Sequence, residues 1–202
     1  MAKAAQVAIT LAVATCAAFA ISRLKVRGGR TVMNAALFTY FIPAAFLAVP
    51  MYKAMGAYGL LNSRWSLVLA MVTLASPYAI WVLKQASDKL PWELDEAARI
   101  DGATPLQLFR LVYLPLMTPS LVAIGTYAVL LAWNEYLYAF LLLSHENTIP
   151  LAVGLGHFLA SDDSPWEILM ATALIYALPP AAIYYAFRRY MVGGLTSGAV
   201  KS

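Results

Sequence analysis

Four of the chain's ten acids fall within one short stretch, as Glu93, Asp95, Glu96 and Asp101. Grouped carboxylates of this kind suit general acid–base catalysis or the oxygen shell of a hard cation. Their spacing argues against both uses. On one short helix these four side chains radiate around the axis, whereas catalysis requires groups that converge in a pocket. No His or Cys lies nearby, and the acids lack the spacing of a ligand set. Neither a catalytic residue, a metal nor a cofactor is expected here. The stretch reads instead as a docking element or as a solvated connection.

Glu135, within Ala132-Trp133-Asn134-Glu135-Tyr136, is the one acid more than two residues from the end of an apolar segment. A carboxylate at membrane depth is costly unless it faces a bundle interior or a wet cavity, which makes it a functional candidate. Asn134, Tyr127 and Tyr138 share a neighbouring helical stripe, and aromatic faces beside amide donors suit a sugar. The competing reading places Glu135 in an aromatic belt near the outer end of its span, bonded to another helix. His145 and His157, twelve positions apart, read as surface histidines. GGLTSGAVKS, residues 193–202, echoes a phosphate-binding loop, but Lys201 does not follow Gly198 directly and no strand precedes it.

The elements that carry these residues are built for lipid. The chain is 62% hydrophobic and 12% charged, with a mean hydropathy of +0.71. Five apolar segments predict spans over 4–22, 32–51, 65–83, 118–143 and 166–187. Each approaches or exceeds the roughly 20 residues a helix needs to cross about 30 Å of hydrocarbon. The fold class is therefore all-α and polytopic. Its one cysteine, Cys16, lies inside the first span and precludes an intrachain disulfide.

The net charge of +4 does not imply a nucleic-acid partner, because the basic residues sort by membrane side. Eleven of the fourteen fall in three regions: Arg23 to Arg30, Lys84 to Arg110, and Arg188 to Lys201. The positive-inside bias makes these regions cytoplasmic, the C-terminus included. Five spans then leave Met1 outside with nothing to carry it across. A signal peptide cleaved after Ala18-Phe19-Ala20 would push the basic connection RLKVRGGR to the outer side, against that bias. The expectation is that a preceding span is absent from this chain.

Within the cytoplasmic region 84–117, Pro91 suits the first position of a helix. Glu93, Asp95 and Glu96 favour the positive end of its dipole. Asp95 and Arg99 are spaced to pair on the exposed side for about 0.3 kcal/mol. Leu94, Ala97, Ala98 and Asp101 fall on the opposite face, flat at its centre, and Gly102 is free to adopt a left-handed cap. Thr104-Pro105-Leu106-Gln107 is a capping box that starts a second helix. Leu106, Leu108, Phe109, Val112 and Tyr113 form its apolar face, and Leu114-Pro115 ends it.

These residues carry a resemblance. Glu96-Ala97-Ala98, then three residues, Gly102, then nine, Val112, then one, Leu114-Pro115 resembles the EAA loop of ABC importer permeases, with Val112 where the family pattern has Ile. WELDEAARIDGATPLQLFRLVYLPLMTPSL, AWNEYLYAF and RRYMVGGLTSGAVKS resemble the carbohydrate subgroup, the maltose-type second permease.

The resemblance implies a six-helix fold, here without its first helix, forming a single domain over 1–202. It implies that Glu96, Ala97, Ala98, Asp101 and Gly102 dock on an ATP-binding subunit, with Leu114 and Pro115 anchoring the loop. Its implied partners are two ATP-binding subunits, a second permease, an extracytoplasmic solute-binding protein, a sugar and the bilayer. Asn134, Glu135 and Tyr138 are the candidates for the substrate path. The rival class, an ion-driven secondary transporter, predicts several intramembrane ionisable groups where this chain offers Glu135.

Overall fold

The computed structural model describes residues 2–144, 149–159 and 165–196, and every regular element among them is helical. Helix α1 (Ala2–Ser22) lies along α4 (Arg64–Asp88). Both present small residues at helical spacing, Ala14 and Ala18 on one and Ala75 and Ala79 on the other, all fully buried. Small side chains let two apolar helices approach closely where lipid supplies no hydrophobic drive between them. Helix α7 (Leu114–Trp133) packs on both, and α10 (Trp166–Thr196) packs on α7. There Tyr176 Oη donates to the Trp133 carbonyl at 2.6 Å.

Among the described residues four helices are long and apolar enough to cross a membrane, and a broken pair supplies a fifth if it is counted as one span. The expected straight span over 32–51 is that pair. Helix α2 (Gly29–Phe38), a tight turn at Thr39–Phe41 and helix α3 (Ala44–Ala57) bend by 109°. The cause is Pro43: the residue before a proline is driven out of the helical region, and Ile42 sits extended at φ −89° and ψ 117°. Pro50, Pro77, Pro119, Pro179 and Pro180 lie inside helices that run through them. The span expected over 118–143 is also interrupted: α7 stops at Trp133, and a short α8 (Leu137–Leu142) follows. Helix α8 packs on α3 through Ala48, Met55, Tyr138 and Leu142.

Leu114-Pro115 does not end its helix, contrary to expectation. The chain runs from α6 (Pro105–Gln107) through a widened turn, Leu108–Tyr113, directly into α7. In that turn the Leu114 N–H reaches back five residues to the Phe109 carbonyl. A proline cannot donate to the carbonyl four residues back, and its ring crowds that carbonyl; a turn of wider register relieves both. What reads as a separate surface helix is the opening of a 29-residue span, Pro105–Trp133. A short helix, α9 (Leu151–Leu159), packs on α10. His145 and the tail 197–202 lie outside the described residues, as does the side chain of His157.

Candidate functional site

Helix α5 (Glu93–Ile100) carries the acidic cluster. Pro91 stands two residues before the first helical position, Glu93, rather than at it, and Trp92 is the boundary residue. Its C-terminus closes as the sequence anticipates. Gly102 takes φ +80°, and its N–H donates to the Arg99 carbonyl at 3.0 Å, while the Ala103 N–H donates to Ala98 at 2.9 Å. These paired bonds form a Schellman cap, which requires a left-handed residue where Gly102 stands. Both bonds of the capping box follow at once: Thr104 N–H to Gln107 Oε1 at 2.8 Å, and Gln107 N–H to Thr104 Oγ1 at 3.3 Å. The turn between the helices is therefore satisfied by its own backbone and held in one shape.

The face that α5 exposes differs from the expected one. Asp95 does not pair with Arg99 at the surface; it turns inward and is buried against Arg23, its Oδ2 at 3.3 Å from Nη1. Ala98 is half-buried, packed against the cluster of Phe19, Leu83, Leu108 and Tyr113. The outward stripe consists of Glu93, Leu94, Glu96, Ala97, Ile100 and Asp101. Within it Ile100 is 85% exposed and Leu94 40%, an apolar pair either side of Ala97. Of the five residues expected to dock, four are at the surface and Ala98 supports them from behind. Leu114 is half-buried and Pro115 exposed, inside the continuous helix described above.

The second candidate region is the break after α7. The Asn134 amide donates back to the Leu130 carbonyl at 3.1 Å. The half-buried Glu135 accepts the Tyr138 N–H at 2.7 Å through Oε1, satisfying a donor at the start of α8. Tyr138 is turned inward rather than toward a path: it is 1% exposed, and its hydroxyl donates to the Ala44 carbonyl at 2.7 Å. None of the three lines the large cavity, which the bent pair encloses with α4 and α7 and which holds about 590 Å³. Its wall is mostly apolar, with Thr39, Tyr40, Thr73 and Tyr127 as polar groups. The Tyr78 ring stands 4.9 Å from that of Tyr127 and 6.3 Å from that of Tyr40. Pockets of this make-up, apolar with a few placed hydroxyls, are typical of small-molecule sites.

The family model for the inner membrane component of binding-protein-dependent transport systems matches residues 10–196. The chain belongs to this family. It is 36% identical over 185 residues to the inner membrane ABC transporter permease protein YcjP of Escherichia coli, covering 91% of this chain and 66% of that protein. It is 35% identical over 195 residues to the trehalose transport system permease protein SugB of Mycobacterium tuberculosis, covering 96% and 71%. The maltose/maltodextrin permease protein MalG of Vibrio parahaemolyticus is 33% identical over 199 residues, with 96% and 67% covered. This chain thus spans about two-thirds of the length of these relatives. A solved bacterial ABC transporter involved in alginate import has a chain that superposes with a TM-score of 0.80 at 25% identity, covering 93% of this chain and 71% of that one.

For a permease of this family, sequence reasoning missed Ile100, Arg23 and the cavity. Ile100 was legible in principle, because Glu93, Ala97 and Ile100 fall on one stripe at helical spacing. Arg23 is one of four basic residues in its connection, and nothing in the sequence separates it from the others. The cavity depends on the bend at Pro43 and has no local signature.

Proposed function

We propose that this chain is one of two permease subunits of a sugar importer driven by ATP hydrolysis in separate subunits. Residues 1–202 act as a single membrane domain, with the loop over 84–117 and the C-terminus on the cytoplasmic side. The observation that carries the reading is the outward face of α5. A rigidly capped helix presents Leu94, Ala97 and Ile100 as an exposed stripe, in a shape suited to a groove on another protein. Its acids favour the start of the helix and leave chemistry to the partner. Glu96, Ala97, Asp101 and Gly102 make the contact, Ala98 backs it, and Leu114 and Pro115 join it to the spans.

The sugar reading draws on the relatives that carry trehalose and maltose and on the cavity's tyrosines and threonines. That cavity is this chain's share of the path, completed by the second permease and fed by an extracytoplasmic binding protein. Asn134 and Glu135 stand outside its wall, at the α7–α8 break that follows the lining residue Leu131, and Tyr138 ties that break to the bent pair through the Ala44 carbonyl. The test is co-purification of the ATPase subunits with the complex, comparing the unaltered chain with Ala97→Trp and Ile100→Glu. Loss of the ATPase from both variants supports the reading, and full retention contradicts it.

A further inference from the structure

Helix α5 is joined to the rest of the chain by an arginine that no motif marks. The Arg23 guanidinium follows the last turn of α1 and makes contacts in two directions. Nη2 donates to the Ser87 carbonyl at 2.7 Å and to the Leu90 carbonyl at 3.0 Å, both at the C-terminal end of α4. Nη1 donates to Asp95 of α5 at 3.3 Å. The side chains of Arg23 and Asp95 are only 4% and 7% exposed. Beside them the Ser22 and Ser87 hydroxyls meet at 2.6 Å, fastening α1 to α4 directly. Trp92 lies against the group, its ring centre 5.8 Å from the guanidinium of Arg23, 5.6 Å from that of Arg99 and 4.3 Å from Lys25 Nζ.

This arrangement depends on the planar fork of arginine. One guanidinium bridges two carbonyls and a carboxylate at fixed angles, which a lysine ammonium on a flexible stem does not reproduce. The two carbonyls also lie at the negative end of the α4 dipole, where a cation is favoured. Asp95, one turn from the exposed stripe, gives α5 an inward charge that water does not screen. A second ion pair, Lys84 with Asp88, lies within α4 itself.

We propose that Arg23 is the positioning residue that makes α5 move as one body with α1 and α4, so that a displacement imposed on α5 reaches the spans through Arg23–Asp95. The proposal rests on the docking role given to α5 above. It is tested in the assembled transporter, reconstituted in lipid nanodiscs and proteoliposomes. A nitroxide at Glu93→Cys, in a Cys16→Ser background, reports the mobility of α5, and uptake per ATP hydrolysed reports transmission.

In Arg23→Lys and in the near-isosteric Asp95→Asn the label is expected to gain mobility. The ATPase should remain bound, and uptake per ATP should fall by about tenfold. Asp95→Glu, which keeps the charge, should stay within about twofold of the unaltered chain. An immobile label in both variants overturns the clamp. A mobile label with unchanged uptake per ATP overturns its part in transmission. Failure of the unaltered complex to hold an ATPase is a different result, and it removes the docking reading itself.

Discussion

Replacing Gly102 separates backbone strain from contact with a partner. At φ +80° an L-residue is disfavoured, at a cost of about 1–2 kcal/mol for most side chains and less for Asn. A Cβ built on Gly102 meets nothing within 4 Å, so substitution adds no clash within the chain. Strain alone therefore predicts a graded series in which Gly102→Asn is nearly silent, Gly102→Ala is intermediate and Gly102→Val is worst. A cost of about 1–2 kcal/mol corresponds to roughly a five- to thirtyfold loss of the capped turn. If the open space at Gly102 is filled by an ATPase groove, the order collapses, because any side chain intrudes there. All three variants should then insert normally in the membrane and lose most of the co-purifying ATPase, with Asn as damaging as Ala. The assay is the ratio of ATPase to permease after affinity purification of the complex. A Gly102→Asn complex that keeps its ATPase and transports at the unaltered rate would refute the reasoning.

Three further substitutions probe the region around the α7–α8 break. Glu135→Ala removes the acceptor of the Tyr138 N–H, worth about 1 kcal/mol for a cap of this kind; uptake kinetics should change while membrane insertion does not, and unchanged uptake would count against a role in the path. Tyr138→Phe removes the hydrogen bond from the buried Tyr138 hydroxyl to the Ala44 carbonyl and should lower the thermal midpoint of the detergent-purified complex by an amount reflecting about 1 kcal/mol; identical midpoints would show that this bond does not hold the bent pair. Gly156→Ala places a methyl 2.6 Å from the Tyr136 ring and should displace α9, raising the reactivity of a cysteine probe at Leu159, with Tyr136→Ala restoring the original rate; a probe indifferent to both changes would contradict the contact.

The parts of the fold legible in the sequence are those set by local chemistry. The apolar segments, the left-handed Gly102 and the Thr104 to Gln107 capping box each follow from a few adjacent residues, and the structure shows them. What misled was proline. Leu114-Pro115 reads as a terminator, yet the widened turn before it carries the helix through, and Ile42-Pro43 lies inside what reads as one span over 32–51, yet the chain folds there by 109°. A proline removes one donor wherever it stands, and whether the chain kinks, widens or breaks is decided by tertiary neighbours. The orientation of α5 was hidden for a related reason. With four acids around one short helix, the hydrophobic pattern cannot say which carboxylate turns inward, and Asp95 does so because a buried Arg23 waits there from a segment 72 residues away.

The central claim is that this chain passes solute by virtue of ATP hydrolysis in subunits gripped by α5. The most direct measurement is sugar accumulation in proteoliposomes holding the complete transporter, with ATP on the α5 side and the solute-binding protein on the other. Accumulation is predicted to require both, to persist when proton and sodium gradients are collapsed, and to vanish with Ile100→Glu. Accumulation that continues without ATP and stops when an ion gradient is collapsed would contradict the account.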